Sequence, residues 1–158
     1  MPNYMAPGIY VEEVPGGARP IQAVGTSTAG FVGVAPDPAK HLNEAVAINN
    51  WLQFVREFCP SDNSPSASTP LSNAVYGFFM NGGGRCYVVN VGKDKPITGG
   101  RRNKQGLDLL AEIDEIAIVA IPGYTDIVSY EATLSHCESL QDRVAILDAP
   151  GDVKDIDL

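Results

Sequence analysis

Four short apolar runs, separated by segments of helical periodicity, constrain the fold of this 158-residue chain more than any other feature. They are TAGFVGVA (residues 28–35), CYVVNV (86–91), IAIVAI (116–121) and VAIL (144–147). Runs of this length, bounded by proline and glycine, indicate strands that are buried on both faces. Such strands form parallel sheets through right-handed crossovers. The sequence therefore predicts an α/β fold with a mainly parallel sheet flanked by helices.

Helices are predicted between these runs. Trp51, Phe54, Val55 and Phe58 recur at helical spacing after a cap at Asn49 or Asn50, and Pro60 closes this helix. Further helices are predicted over residues 71–81, 107–112 and 129–140, and a short strand over 45–48. In the last helix the residues expected to face inward are Tyr130, Thr133, Leu134 and Cys137. Gly82, Gly83 and Gly84 end the helix of residues 71–81, because glycine favours the left-handed conformation at a helix C-terminus.

The N-terminal 26 residues have strand chemistry without a local partner. The predicted strand consists of Ile9, Tyr10, Val11, Glu12, Glu13 and Val14, and the predicted hinge of Pro15, Gly16, Gly17 and Pro20. An isolated strand leaves its backbone N–H and C=O groups unpaired. We therefore expect residues 1–26 to be an extended arm and hinge that pairs with another subunit, and residues 27–158 to form the α/β domain. The alternatives are a segment that returns to its own domain and a frayed terminus.

The charge balance argues against a nucleic-acid partner. The chain carries 19 Asp and Glu residues against 11 Lys and Arg residues, a net charge of −8. Such a chain repels a phosphate backbone overall. The basic cluster of Arg101, Arg102 and Lys104 is either a solvated loop or a contact with an acidic partner. No apolar run approaches the roughly 18 residues of a membrane span, so no membrane insertion is predicted.

Residues that could carry chemistry are few. Gly82, Gly83 and Gly84 follow a predicted helix and open a strand, the reverse of a phosphate-binding loop. His136, Cys137 and Glu138 are consecutive on a predicted helix and cannot converge on one metal. Asp148 ends a strand where α/β enzymes place catalytic groups, although a turn or capping role is the commoner one. We therefore predict no catalytic, cofactor-binding or metal-binding residues and no enzymatic activity. The three cysteines lack a CxxC spacing and fit a reducing compartment.

The sequence resembles contractile tail sheath proteins, the sheaths of phage tails and phage-tail-like injection systems. The longest similar segment is PGIYVEEVPGGARPIQAVGTSTAGFVG, at residues 7–33. Further segments are NEAVAINNWLQFVREF, LSNAVYGFFMNGGGRCYVVNV, IAIVAIPGYTD and DRVAILDAP. The resemblance extends over residues 7–150. It implies a subtilisin-like sheath domain without protease activity, here incomplete because sheath proteins normally continue through more of the α/β domain and a C-terminal domain. The part that accepts a neighbour's arm, and most of the surface that faces the tube, are therefore expected to lie outside this sequence.

The resemblance also implies a mechanism and partners. Sheath subunits are homo-oligomers that stack as hexameric rings around an inner tube, with a baseplate at one end and a terminator or cap at the other. The N-terminal arm adds a strand to a neighbour's sheet, and contraction drives the tube through a target envelope. The expected location is a virion tail or phage-tail-like particle, assembled in the bacterial cytoplasm and in some systems released. The alternatives are an α/β hydrolase or nucleotide-binding enzyme, and a sheath-related tail terminator or baseplate-proximal protein.

Overall fold

The computed structural model describes residues 27–61, 68–100 and 103–151, which form a five-stranded sheet between two layers of helices. The strands are β1 (Ala29–Gly33), β2 (Ala45–Ile48), β3 (Cys86–Asn90), β4 (Ile118–Ala120) and β5 (Val144–Ile146). The helices are α1 (Trp51–Phe58), α2 (Pro70–Met80), α3 (Leu107–Leu110) and α4 (Ile127–Leu140). All the strands and helices predicted within the described residues are present. Their ends differ from the predicted ones by at most two residues, as helix and strand ends commonly do.

The sheet is mixed, with a parallel centre and one antiparallel edge. Its strand order is β2-β3-β1-β4-β5. β1 lies parallel to both β3 and β4, and β5 lies parallel to β4. β2 runs antiparallel to β3 at one edge. The α/β class and the mainly parallel sheet are therefore confirmed.

The two faces of the sheet have separate cores. On one face, Phe54 and Phe58 of α1 and Leu71 and Val75 of α2 pack against Phe31 and its neighbours. On the other face, Leu107 and Leu110 of α3 pack against a layer of buried aliphatic side chains, with part of α4 beside them. Because both faces of β1 and β3 are covered, these strands are apolar at every position except the buried Asn90.

The inward side of α4 agrees with the predicted one at three of four positions, because Thr133 is buried and Tyr130 and Cys137 pack half-buried against the second core. Leu134 was expected to face the core, but 45% of it is exposed. The buried positions are Ser129 and Thr133, one helical turn apart. The hydroxyl of Thr133 donates a hydrogen bond to the carbonyl oxygen of Ser129 (2.8 Å), and the hydroxyl of Ser129 donates to Asp126 (2.7 Å). Both buried hydroxyl groups therefore have a hydrogen-bond partner. Polar pairing inside the helix hides the buried Ser129 from a search for apolar periodicity.

The glycines after α2 form a helix C-cap, as predicted. The N–H of Gly83 donates to the carbonyl of Phe78 (2.9 Å) and that of Gly82 to the carbonyl of Phe79 (3.2 Å), which is the Schellman pattern. Gly82 has a φ of 89°, in the region that favours glycine. A Cβ atom on Gly83 would lie 2.4 Å from the Phe78 ring, so there is no room for a larger residue at this position.

Replacing Gly82 by alanine is expected to destabilise the protein by about 1–2 kcal/mol, because a side chain opposes its positive φ. Its Cβ would meet nothing within 4 Å, so backbone strain is the sole cause. Gly84→Ala is the matched control, since Gly84 also has open space and no positive φ. Urea unfolding of both variants measures the difference. Equal midpoints for the two variants would contradict the capping role.

Candidate functional site

The predicted arm and hinge residues lie outside the described residues. These are residues 9–14 of the predicted strand, and Pro15, Gly16, Gly17 and Pro20 of the predicted hinge. Two regions of the described structure remain as candidates for function. One is the carboxyl edge of the parallel strands, where α/β enzymes bind their substrates. The other is the open side of β5.

Asn90 closes the carboxyl edge between β1 and β3. Its side chain is fully buried. Its Oδ1 accepts hydrogen bonds from the N–H groups of Ala35 (3.1 Å) and Gly92 (3.0 Å). Its Nδ2 donates to the carbonyls of Lys40 (2.7 Å) and Asp37 (3.3 Å). All four hydrogen-bonding positions of the amide are thus used on the main chain, which leaves none for a ligand.

Side chains at the carboxyl edge near β4 also have structural partners. Asp148 accepts a hydrogen bond from the N–H of Gly123 (2.8 Å), the turn role considered the commoner one for this residue. Asp126 caps α4, accepting from the N–H (2.9 Å) and the hydroxyl (2.7 Å) of Ser129. These hydrogen bonds hold the pKa of Asp126 below its usual value. Asp126 is therefore a carboxylate at neutral pH and cannot donate a proton.

A shallow cavity of about 240 Å³ lies beside these groups, lined by Val34, Pro70, Lys95 and Tyr124 among others. The hydroxyl of Tyr124 donates to the carbonyl of Lys95 (3.2 Å), and burial raises the pKa of this tyrosine. The tyrosine is therefore neutral at physiological pH and already paired. No nucleophile in contact with a base lines this cavity among the described residues.

The triplet of His136, Cys137 and Glu138 does not converge. Burial, followed by the charge of Arg143, lowers the pKa of His136, so its ring is neutral at neutral pH. Burial raises the pKa of Cys137, and burial raises that of Cys86 to about 12. Neither thiol is ionised at neutral pH. Within residues 27–61, 68–100 and 103–151 no group of three potential metal ligands comes together.

A second histidine fastens the loop after β1 to helix α1. The Nδ1 atom of His41 lies 2.8 Å from Glu44, and its Nε2 atom lies 3.1 Å from Glu57. The ring also packs on Phe58, with 5.4 Å between centroids. The hydrogen bond to Glu44 is the main cause that raises the pKa of His41, and Glu57 adds to it. When protonated, His41 bridges two carboxylates.

We expect this bridge to make stability depend on pH. A histidine whose pKa rises on folding contributes fully below its unfolded pKa, and the contribution is lost as the pH rises through the folded pKa. His136 has the opposite effect on stability. Because its pKa is lowered in the folded protein, the protein loses stability as the pH falls below the usual pKa of histidine. The quantity to measure is therefore the difference in free energy of unfolding between the parent and His41→Gln. The loss in the variant should be up to about 1 kcal/mol near pH 6 and smaller near pH 8.

Urea midpoints at pH 6 and pH 8 measure this difference. His136→Gln is the control, because it should alter the pH dependence in the opposite direction. An equal loss for His41→Gln at both pH values would contradict the ionic bridge.

The open side of the sheet lies at β5. In the described part of the chain β5 is an edge strand, paired only with β4. The N–H of Val144 donates to the carbonyl of Ala117 (3.0 Å). Because backbone groups alternate sides along a strand, the N–H and C=O of Ala145 point to the open side. A further strand could pair there.

The face of β5 on the α2 side is apolar and largely uncovered. Val144 lies opposite Ile118, and Ile146 lies opposite Ala120. Exposure is 62% for Val144 and 54% for Ile146. Parallel sheets normally bury both faces, so these two side chains lack the cover that their position calls for.

A groove of about 440 Å³ runs between this face and helix α2, and we call it the β5 groove. Its lining includes Phe31, Gly77, Phe78, Ile118 and Ile146, together with Ser27, the first described residue. None of its lining side chains is charged. An apolar surface of this kind next to unpaired backbone groups is typical of a contact with another segment of protein.

The basic cluster is partly described. Lys104 pairs with Glu112, whereas Arg101 and Arg102 lie outside the described residues. None of the described helices combines the length and hydropathy needed to span a bilayer. No protein-family model and no curated protein matches this sequence.

Proposed function

We propose that this chain is a structural subunit of a contractile tail sheath that assembles with copies of itself around an inner tube. The resemblance of residues 7–150 to sheath proteins supports this role. The subtilisin-like assignment of the domain belongs to the same proposal, and the parallel strands β3, β1, β4 and β5 are compatible with it. In this role the arm of Ile9, Tyr10, Val11, Glu12, Glu13 and Val14 links subunits, and the hinge of Pro15, Gly16, Gly17 and Pro20 lets the domain turn.

The open side of β5 is the structural observation that supports a role through contacts with other chains. An edge strand with two exposed aliphatic side chains is an aggregation hazard unless something covers it. In a subunit that works through contacts with other chains, such an edge can bind a strand from another chain. Strand addition supplies main-chain hydrogen bonds and pockets for alternate side chains.

The carboxyl edge supports a role through contacts and not through catalysis. Asn90, Asp126 and Asp148 each hold main-chain groups in place. Activity as an α/β hydrolase or nucleotide-binding enzyme would need some of these groups to be available to a substrate. The proposed partners are further sheath subunits in hexameric rings, the inner tube, and the baseplate and terminator proteins. The proposed location is a virion tail or phage-tail-like particle.

Electron microscopy with immunogold labelling tests this role. Particles from cells that make the chain would be labelled with an antibody against the exposed side of α1, which includes Leu52. We expect label along the whole length of a tube. Label at one end would identify a terminator or baseplate-proximal protein, and absence of label from any tubular particle would contradict the sheath role.

A further inference from the structure

A second groove, between helices α1 and α2, carries a further inference. We propose that it binds a proline-rich segment of a partner protein in the extended polyproline II conformation. The α1–α2 groove is lined by Trp51 and Val55 of α1, by Asn73 and Tyr76 of α2 and by Ser68 just before α2, among others. Its volume is about 350 Å³, within the range of roughly 300–1,000 Å³ typical of ligand sites. It lies on the side of α2 that faces away from the β5 groove, and it does not depend on the proposed sheath role.

Two aromatic rings are held in place in this groove. The ring of Trp51 stacks on the buried ring of Phe54, with 5.1 Å between the centroids and 16° between the planes. The ring of Tyr76 meets that of Trp51 at 72°, again with 5.1 Å between the centroids. Because 46% of Tyr76 is exposed, its ring is accessible from solvent. A ligand that packs on rings already fixed by their neighbours has little side-chain freedom to remove.

The unpaired polar groups of the groove are mainly hydrogen-bond donors. The hydroxyl of Ser68 donates to Oδ1 of Asn73 (2.6 Å), and the Nδ2 group of Asn73 has no partner among the described residues. The indole N–H of Trp51 and the hydroxyl of Tyr76 are likewise unpaired within the described part of the chain. An indole N–H only donates, and an amide Nδ2 carries two donors. The groove therefore suits a ligand that offers more acceptors than donors.

The groove also favours an uncharged ligand. None of its described lining side chains is charged, and α2 contains no charged residue, although the chain has a net charge of −8. A charged ligand would lose hydration in such a groove without gaining an ionic partner.

A proline-rich segment combines these properties. Proline has no backbone N–H, and the carbonyl oxygens of a polyproline II helix have no partner within the helix. Its rings are apolar and pack on aromatic side chains, and the helix is largely formed before binding. A sugar, which also packs on aromatic rings, has hydroxyl groups that both donate and accept, so it matches a donor-rich groove less well.

The fluorescence of Trp51, the only tryptophan of the chain, tests this binding. The full-length protein would be titrated with a decaproline peptide and, for reference, with a glycine–serine peptide of the same length. We expect a saturable change with decaproline, and an apparent Kd at least about tenfold lower than that of the reference peptide.

Two variants test the groove itself. Asn73→Asp keeps the acceptor for Ser68 but replaces the two N–H donors by a charged oxygen, and Tyr76→Ala removes one ring. Both positions are exposed, so the fold should be retained. Each variant should weaken decaproline binding at least about tenfold, or about 1.4 kcal/mol. Ser135→Asp is the matched control, because it adds the same charge at an exposed position of α4, on the other face of the sheet, and should leave the Kd unchanged.

Four results would overturn the proposal. They are the absence of a saturable change with decaproline, equal affinity for the two peptides, decaproline binding that neither groove variant weakens, and decaproline binding at least about tenfold tighter after deletion of residues 1–17 or after Pro65→Ala. The last result would identify a segment of this chain as the occupant. Labelled tubes without decaproline binding would overturn this proposal alone, and decaproline binding without any labelled tube would overturn the sheath role alone.

Discussion

Replacing Asn90 by alanine is expected to lower the free energy of unfolding by about 3–5 kcal/mol, a large share of the 5–15 kcal/mol typical of a domain. The substitution leaves the buried N–H groups of Ala35 and Gly92 without an acceptor and the carbonyl of Lys40 without its donor. Each buried group without a partner costs about 1–3 kcal/mol. Urea unfolding followed by circular dichroism measures the loss.

Asn103→Ala is the control, because this asparagine is exposed. It should change stability by less than about 0.5 kcal/mol. Asn90→Asp keeps Oδ1 but points a second oxygen at the carbonyls of Lys40 and Asp37, and it buries a charge. It should destabilise at least as much as alanine does. A parent-like midpoint for both Asn90 variants would show that the carboxyl edge is not held by this side chain.

Proline in the predicted arm is expected to abolish assembly while the domain stays folded. Proline lacks an N–H and removes a hydrogen bond from a strand ladder. Successive N–H groups point to opposite sides of a strand, so Val11→Pro and Glu12→Pro test both sides. One of the two should prevent formation of the proposed sheath, since the loss would be repeated at every subunit of the proposed lattice. Deletion of residues 1–17 should have the same effect.

Sedimentation and electron microscopy measure assembly, and urea unfolding measures the stability of the domain. Ala6→Pro is the control, because it lies before the predicted strand next to Pro7. Particles of normal length that contract, from Val11→Pro, Glu12→Pro and the deletion alike, would leave contacts between the domains as the only link between subunits.

The sequence alone determined the class of fold and the position of each strand and helix in the described residues. The run of residues 116–121 contains β4, and the helical spacing of Phe54 and Phe58 marks the buried side of α1. The glycines after α2 were also visible in the sequence, which placed the cap of α1 at Asn49 or Asn50; the structure shows it at Asn50. These features are local, because propensity, capping and apolar periodicity depend on residues within a few positions of each other. The arm remains a prediction.

Only the tertiary structure decided the orientation of β2, the exposure of Leu134 on α4, the role of Asn90 and the uncovered face of β5. β2 runs antiparallel to β3, which depends on how the chain returns and not on the sequence AVAI. Asn90 sits in an apolar run and shows its purpose only when the loop of residues 36–43 reaches it. The run VAIL resembles the central strands, yet Val144 and Ile146 are exposed because α1 and α2 cover the sheet only as far as β4. Each of these features joins residues that are distant along the chain, and local patterns carry no information on which distant groups meet.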